Sequence, residues 1–325
     1  MQINEVYKLV KNGLNGVEEQ FRLLAQSQNE AFPELHGMLS HILCGGGKAV
    51  RPLLALHAGS LYHYERQKMM YMAAASELMH IATLVHDDAI DKASVRRGRL
   101  TINKIWGVDK AIIFGDYLFA KAAEYAVSTG SLHVVGLFAQ TLGAISYGEL
   151  KQGFSAFNLE QTFDDYIGRI TGKTASLFAL ATEGGAVLSG APEESIRILK
   201  EYGLNLGISF QIVDDILDFI GTEKELGKPV GSDLAQGTIT LPSLLILEHY
   251  HEDNPVKRVF TNEGDKQENI KEAIRLLYNS PIVDKCYQVA SDYSDKARCN
   301  LDRLPDTPSR QALHTMADYV VKRKK

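Results

Sequence analysis

The sequence predicts an all-α fold, a helical bundle. The chain has only nine prolines in 325 residues, and long segments repeat apolar residues every three to four positions. Strand-like alternation is nearly absent. Two segments, 67–91 and 203–220, are apolar on most of their faces, which is typical of helices at the centre of a bundle. No linker rich in proline, serine or glycine interrupts the first 250 residues, so residues 1–325 are interpreted as a single domain.

The expected helices are defined in order by their 3.6-residue periodicity. They cover 3–30, 34–44, 50–63, 67–91, 105–128, 131–153, 161–187, 193–220, 239–251, 266–279, 283–303 and 308–322. The third of these helices follows a glycine-rich turn and starts near Pro52, and the two central helices each carry an acidic cluster. The polar stretch His251–Asn269 is expected to be a long exposed connection.

Composition excludes several classes of protein. The chain has 35 basic and 40 acidic side chains, a formal net charge of −5, whereas a nucleic-acid-binding domain is normally strongly basic. Three scattered cysteines without metal spacing predict neither a disulfide framework nor a zinc site, and they fit a cytoplasmic protein. The first twenty residues include acids, unlike a signal peptide, and no apolar run approaches the ~18 residues that span a bilayer.

The pattern D-D-x-x-D occurs twice, once on each of the two central helices. Residues i and i+4 share one face of a helix, so the first and last aspartates of each cluster project together. Adjacent carboxylates in apolar surroundings are costly unless a cation neutralises them, and hard oxygen ligands suit Mg²⁺. One copy alone would favour a solvated helix end, but two copies in apolar settings favour a metal site. The residues are Asp87, Asp88, Asp91, Asp214, Asp215 and Asp218.

Basic residues recur beside glycines close to these clusters. They are Lys48 and Arg51 after Gly45-Gly46-Gly47, the pair Arg96-Arg97, Lys173 in Thr171–Thr174, and Lys228 in the stretch GKPVGSDL. Each of these pairs is weak evidence by itself. Glycines, however, allow a backbone to approach an anion, and together these cations suffice for more than one diphosphate. Glu77 and His80 match half of a di-iron motif, but no second half is suitably placed.

The chain resembles the trans-isoprenyl (polyprenyl) diphosphate synthases over nearly its full length. Five blocks occur in that family's order and approximate spacing: GGGKAVRP, LVHDDAIDKASVRRG, TGKTASLF, FQIVDDILDF and GKPVGSDLAQGTITLP. The resemblance implies the family's all-α bundle around a central cavity, usually in a dimer. It also implies a prenyltransferase that condenses isopentenyl diphosphate with an allylic diphosphate.

The family's functional residues carry over to matching positions. The resemblance implies three Mg²⁺ ions on the allylic diphosphate, two held by the first aspartate cluster and the third by Asp214, with Asp215 and Asp218 nearby. Arg96, Lys173 and Lys228 would contact that diphosphate, and Thr174 and Gln211 would line the reacting carbons. The isopentenyl diphosphate site would comprise Gly47, Lys48, Arg51, His80 and Arg97. The residues expected to carry the chemistry are Asp87, Asp88, Lys173, Gln211 and Asp214.

Small side chains before the first cluster favour a long product. In the family, a bulky aromatic residue four or five positions before the first aspartate blocks the tunnel, and here Thr83 and Ala82 occupy those positions. Met79 and Ser76 lie further along the same path. We therefore expect farnesyl diphosphate to be extended to roughly six to ten isoprene units for quinone side chains, because small wall residues leave room for the chain. A short-chain synthase, a terpene cyclase and a non-catalytic subunit are the alternatives.

Two departures from the family's pattern bear on whether the chain needs a second subunit. Thr238 stands where the family usually has lysine, and Ala49 replaces a common basic residue. Similar substitutions occur in catalytic subunits of two-component hexaprenyl and heptaprenyl synthases. The chain is therefore expected either to need a small second subunit or to form a self-sufficient homodimer. The basic run Lys322–Lys325 is expected to be a solvated tail with at most peripheral contact to anionic lipid.

Overall fold

The protein is almost wholly helical in the computed structural model, which describes residues 1–28, 30–43, 47–222 and 229–323. The strands in these residues are a two-stranded antiparallel hairpin that pairs Val95 with Leu100. The all-α prediction is therefore confirmed. Within the described residues, no helix combines the length and apolar character needed to cross a bilayer.

Most predicted helices are present with boundaries close to those expected. The elements are α1 Ile3–Leu9, α2 Lys11–Gln26, α3 Pro33–Leu43, α4 Val50–Gly59, α5 Arg66–Ile90, β1 Val95–Arg96, β2 Arg99–Leu100, α6 Ile102–Trp106, α7 Val108–Ser128, α8 Leu132–Phe154, α9 Phe163–Ile170, a π-helical turn Thr171–Ala175, α10 Ser176–Leu188, α11 Glu193–Ile220, α12 Ser232–Ala235, α13 Leu241–His249, α14 Pro255–Thr261, α15 Lys266–Tyr278, α16 Ile282–Arg298, a 3₁₀ turn Leu301–Arg303 and α17 Pro308–Lys322.

Several of the predicted helices are interrupted, among them 283–303, where α16 ends at Arg298 and the 3₁₀ turn Leu301–Arg303 follows. The first breaks at Val10, which leaves the helical region between α1 and α2. Gly107 separates α6 from α7 with φ +98°, a backbone conformation that glycine adopts readily. The helix expected over 161–187 contains the π-helical turn, which shifts the register of every following side chain. Periodicity of apolar residues does not reveal such one-residue changes.

The expectation for His251–Asn269 was wrong, because this stretch contains α14. Asn254 caps the helix by accepting hydrogen bonds from the backbone N–H groups of Val256 and Lys257, and Pro255 follows at the first helical position. Val256 and Val259 are buried in the core. The polar residues of the stretch outnumber the apolar ones, which hides the short buried face.

The chain divides into two compact units, and the interpretation as one domain stays a prediction. Unit 1 comprises 1–140, 177–203 and 300–316, and unit 2 comprises 141–176, 204–299 and 317–325. In unit 1 every residue of α4 is buried. A Cβ on Gly185 of α10 would lie 2.4 Å from the carbonyl oxygen of Ala55, so only glycine permits this close packing on α4. The core of unit 2 joins apolar residues of α11, α13, α14, α15 and α16.

Candidate functional site

The first aspartate cluster lies at the end of α5 in unit 1. Asp88 is buried and accepts a hydrogen bond from Arg96 Nε at 2.8 Å. Burial raises the pKa of Asp88, with a smaller contribution from the charges of Asp87 and Asp91, and Arg96 opposes the rise. Asp87 is half-buried and Asp91 is exposed at the helix end, one turn further along the same face. Asp87 and Asp91 are thus more accessible to a cation than Asp88.

A tight hairpin beyond the cluster carries the neighbouring arginines. Arg97 (φ +51°) and Gly98 (φ +75°) form a two-residue turn with both φ values positive, which matches the twist of short antiparallel strands. Arg96 and Arg99 pair across the strands on either side of the turn. The hairpin therefore carries three arginines within four residues, and Arg96 is the one that bonds Asp88.

A cavity of about 290 Å³ opens within unit 1 between these basic groups and an apolar wall. Four of the five residues predicted for isopentenyl diphosphate line it: Gly47, Lys48, His80 and Arg97. Its other lining residues are Tyr7, Leu14, Val17, Glu18, Phe21, His41, Ile42, Leu43, Ala49, Pro52, Glu77, Ile81, Leu84, Asp88, Arg96, Arg99, Leu100, Thr101 and Ile102. A site of this kind suits a small molecule with an anionic head and a hydrocarbon tail.

Arg51, the fifth predicted residue, lies outside the cavity lining. It is buried, and its guanidinium carbon lies 4.8 Å from the centre of the Phe178 ring. Its charge nevertheless acts inside the cavity. Burial, followed by the charges of Arg51, Arg97 and Arg96, holds the pKa of His80 well below its ordinary value, so the imidazole is neutral at pH 7. His80 therefore offers an anion a neutral hydrogen bond and no charge.

Glu77 also lines the cavity, although the sequence pattern indicated only half of a di-iron motif at this residue. Its Oε2 atom is buried and has no hydrogen-bond partner among the described residues. Burial raises the pKa of Glu77, and the charges of Arg51 and Arg97 oppose the rise. The position three residues before His80 on α5 was the available signal, since residues i and i+3 share a face.

The N-terminal helices also contribute to the cavity in a way that no motif indicated. Tyr7 Oη in α1 donates a hydrogen bond to the carbonyl oxygen of Lys48 at 2.6 Å. Ala49 adopts φ +43° at the start of α4, and a Cβ on Gly47 would lie 3.2 Å from Arg97 Nη1. The backbone at Gly47 is thus held close to the arginine hairpin.

The second aspartate cluster lies on α11 in unit 2, and its three members differ sharply. Asp214 is the most accessible, with 41% of its side chain exposed, and accepts a hydrogen bond from Arg323 Nη2 at 2.6 Å. Asp215 is buried and accepts hydrogen bonds from Tyr166 Oη at 2.7 Å and Gln211 Nε2 at 2.8 Å. Asp218 is buried and caps α12 by accepting hydrogen bonds from Ser232 Oγ and the Asp233 N–H.

The residues predicted to line the allylic carbons lie together in unit 2. Thr174 Oγ1 donates to Gln211 Oε1 at 2.8 Å, so Thr174, Gln211, Asp215 and Tyr166 form one hydrogen-bonded chain. Lys173 forms an ion pair with Glu149 at 2.5 Å. The π-helical turn sets the register of Lys173 and Thr174, as π-bulges frequently do at functional sites.

The acidic groups fit a divalent cation only with additional ligands. No three His, Cys, Asp or Glu side chains among the described residues already converge as a complete ligand set. Mg²⁺ is commonly held by one or two carboxylates together with water and substrate phosphate oxygens, and Asp87, Asp91 and Asp214 offer oxygens of that kind. The hydrogen bonds of Asp215 and Asp218 direct their oxygens into the protein. Their assignment as ligands stays a prediction, and Lys228 lies outside the described residues.

The positions predicted to control product length lie away from the cavity. Ser76, Met79 and Ala82 are fully buried on α5, and none lines the cavity in unit 1. Thr83 is half-buried and donates a hydrogen bond to the carbonyl oxygen of His80. The cavity uses the face of α5 that carries Glu77, His80, Ile81, Leu84 and Asp88.

Comparison with known proteins identifies the family. Residues 32–277 match the family model described as polyprenyl synthetase. The chain is 38% identical to heptaprenyl diphosphate synthase component 2 of Geobacillus stearothermophilus, over 99% of each chain. Its fold matches a polyprenyl synthase of Caulobacter crescentus, crystallised with calcium and isoprenyl diphosphate (TM-score 0.93, 34% identity, 100% of this chain and 98% of the other).

A decaprenyl diphosphate synthase of Rhodobacter capsulatus is similar to almost the same degree, with a TM-score of 0.91, 35% identity and 100% of both chains covered. The family match spans more than half of the sequence, and the relatives are matched along nearly their whole length. The chain therefore belongs to the polyprenyl synthetase family of prenyltransferases.

Proposed function

We propose that the chain is a long-chain polyprenyl diphosphate synthase that adds isopentenyl diphosphate repeatedly to an allylic diphosphate, with farnesyl diphosphate as the primer. The observation that carries this proposal is the cavity in unit 1, which is lined by Lys48, Arg96, Arg97 and Arg99 together with many apolar side chains. Such a cavity suits isopentenyl diphosphate, which joins a five-carbon alkene to a diphosphate.

Three Mg²⁺ ions are proposed, held by Asp87 and Asp91 in unit 1 and by Asp214 in unit 2, in each case together with diphosphate oxygens. When bound, they supply positive charge that stabilises diphosphate as a leaving group. The crystallised relative from Caulobacter crescentus carries calcium with an isoprenyl diphosphate, which supports a divalent-metal site. Two carboxylates with substrate oxygens are a common Mg²⁺ environment.

The chain's own residues would prepare both substrates. Arg96 is held by Asp88 and Lys173 by Glu149, so each cation has a fixed direction in which to meet a phosphate oxygen. His80, neutral at pH 7, would donate a hydrogen bond without adding charge. The apolar wall would exclude water from an allylic cation, which water would otherwise capture. The proton lost after condensation would pass to the departing diphosphate.

Product analysis tests this function. Purified protein incubated with farnesyl diphosphate, labelled isopentenyl diphosphate and Mg²⁺ is expected to give a ladder of linear prenols ending at roughly six to ten isoprene units, as the heptaprenyl and decaprenyl names of the relatives suggest. A cyclic hydrocarbon would identify a terpene cyclase. A product that stops at about four units would identify a short-chain synthase, and a chain inactive with every partner would be a non-catalytic subunit.

Product length is expected to fall when the wall before the first aspartate is enlarged. Ala82→Phe should shorten the product and leave the first condensations active. Ala82 is fully buried, however, so the larger ring also costs about 1–3 kcal/mol of stability through overpacking. Thr83→Phe, at a half-buried position, tests the same path with less strain. Thr83→Val is the matched control, and an unchanged product ladder in both phenylalanine variants would contradict the tunnel placement.

We further propose that the chain is the catalytic subunit of a two-component synthase in the cytoplasm, with a second copy of itself as the alternative partner. Two observations support an assembly. The relative from Geobacillus stearothermophilus is named component 2. In unit 2, α8 exposes a stripe of large side chains at Tyr147, Leu150 and Phe154, with 70%, 63% and 90% of each exposed. Exposed apolar stripes of this kind usually lie in interfaces.

Assembly through α8 predicts that Leu150→Glu weakens self-association or association with a second subunit by about tenfold or more, as loss of a central apolar contact does. Light scattering during gel filtration measures it, with Gln267→Glu, at an exposed position on α15 in the same unit, as the control. The protein purified alone should turn over weakly if it needs a second subunit. Full activity of the isolated chain would contradict the two-component proposal and favour the homodimer.

A further inference from the structure

Arg323, the residue directly after α17, makes an unexpected contact with the second aspartate cluster. Arg323 was expected to belong to a solvated basic tail, yet only 8% of it is exposed. Its guanidinium group lies over the ring of Phe210, with 3.7 Å between the guanidinium carbon and the ring centre. Both partners belong to unit 2, so the contact is internal to that unit. The expectation of a solvated tail was therefore wrong at this residue.

One nitrogen of Arg323 joins two oxygens of α11. Nη2 donates to the carbonyl oxygen of Phe210 at 2.8 Å and to Oδ1 of Asp214 at 2.6 Å. The Nε atom is buried and has no hydrogen-bond partner in the part of the chain that the structure describes. A buried guanidinium group with an unsatisfied N–H is costly, so this arrangement depends strongly on the ion pair with Asp214.

The position of Arg323 conflicts with the proposed role of Asp214. A guanidinium group that bonds a carboxylate oxygen directly occupies one side of the group that would bind a metal ion. Two cations at one carboxylate repel each other, and the repulsion is strong where protein shields them from water. The carboxylate of Asp214 therefore binds either Arg323 or a divalent cation, and each cation disfavours the other.

We propose that Arg323 is an internal counter-ion that holds Asp214 in the metal-free protein and is displaced when a divalent cation binds there. Arg323, which directly follows α17, then acts as a latch whose release accompanies metal binding. This inference rests on the proposed function, because it takes Asp214 as a metal ligand. It predicts that Arg323 lowers the metal affinity of Asp214, whereas a residue that positions Asp214 for the metal would raise it.

Mn²⁺ alone, titrated into the purified full-length protein, measures that affinity by calorimetry and by electron paramagnetic resonance of the free ion. Arg323→Gln removes the charge and is expected to tighten binding at this site about tenfold, the order expected for removing one nearby unit charge. Arg323→Lys keeps the charge and should stay close to the wild-type affinity. Lys322→Gln removes the adjacent exposed charge and is the matched control.

Asp214→Asn separates this inference from the proposed function. It should weaken Mn²⁺ binding, and in its background Arg323→Gln should have no further effect. If Asp214→Asn leaves binding unchanged, the assignment of Asp214 as a metal ligand fails. If Asp214→Asn weakens binding but Arg323→Gln leaves it unchanged or weaker, only the latch is overturned.

Hydrogen exchange tests the latch without any substitution, in case Arg323→Gln impairs folding. The backbone amides in the last turn of α17, including those of Val320 and Lys322, should exchange several-fold faster in wild-type protein when Mn²⁺ is added, because the segment after them is released. Peptides from α2, in unit 1, provide the internal reference. Slower or unchanged exchange in α17 would overturn the proposed displacement.

Discussion

Asp87→Asn is expected to lower kcat by about 10³-fold or more, because loss of a ligand at the ionising bond removes several kcal/mol of transition-state stabilisation. The asparagine side chain keeps the size of aspartate and loses its charge. Asp87 lies half-buried on the last turn of α5, and Asp91 follows one turn later on the same face. Asp88 cannot replace it readily, since Arg96 already bonds that carboxylate.

Steady-state rates at increasing Mg²⁺ concentration measure this effect, and part of the lost rate should return as the metal concentration rises. Asp109→Asn, at an exposed acid in the first turn of α7, is the matched control in the same unit and should remain close to wild type. A decrease smaller than about tenfold with an unchanged Mg²⁺ dependence would show that Asp87 does not hold the metal.

The structure shows which parts of the site a sequence can reveal. The aspartates at the end of α5 were predictable because an apolar repeat of 25 residues ends in D-D-x-x-D. The same periodicity predicted α11 with correct bounds. Local signals were also overlooked: Asn254 followed by Pro255 is a strong helix start, and it marks α14 within the stretch interpreted as a connection.

Other features of the site depend on contacts between distant residues. The hairpin that presents Arg97 has two residues per strand, too few for alternation to be recognised. The bond between Arg323 and Asp214 joins residues 109 positions apart, and a basic run at that place in a sequence is ordinarily a solvated surface. The orphaned oxygen of Glu77 is equally invisible before the cavity around it is known.

The difference in structure among Asp214, Asp215 and Asp218 illustrates the same limit. The motif treats the three carboxylates alike, whereas the fold exposes the first, buries the second in a hydrogen-bonded chain and uses the third as a helix cap. Since burial depends on which helices pack against α11, the sequence predicts the cluster but not the role of each member.

Asp215→Asn is expected to change the pH dependence of stability in the metal-free protein. Burial raises the pKa of Asp215 from 3.8 to about 7, with the charge of Asp233 adding to the rise. Hydrogen bonds from Gln211 and Tyr166 and the charge of Arg169 oppose it. The folded state therefore binds this proton more tightly than the unfolded state. The resulting stabilisation is complete below the unfolded-state pKa of 3.8 and is lost as the pH rises through about 7.

Asparagine cannot ionise, so the variant keeps the stabilisation that wild type loses when Asp215 ionises. From about pH 4 to about pH 8 the free energy of unfolding of Asp215→Asn should rise relative to wild type by about 4 kcal/mol, the energy of a proton held about three pH units more tightly. Urea unfolding in EDTA at each pH measures the difference. The amide and the neutral carboxyl group differ in how they pair with Tyr166 and Gln211, which adds an offset that is the same at all pH values, so only the slope is interpreted.

The neighbouring Cys286 and Tyr166 do not contribute to this slope. Burial raises the pKa of Cys286 to about 12 and that of Tyr166 well above 10, so neither titrates in this pH range. A difference in unfolding free energy that stays constant across the range would mean that Asp215 is ionised in the folded protein throughout, with the Tyr166 and Gln211 hydrogen bonds outweighing its burial.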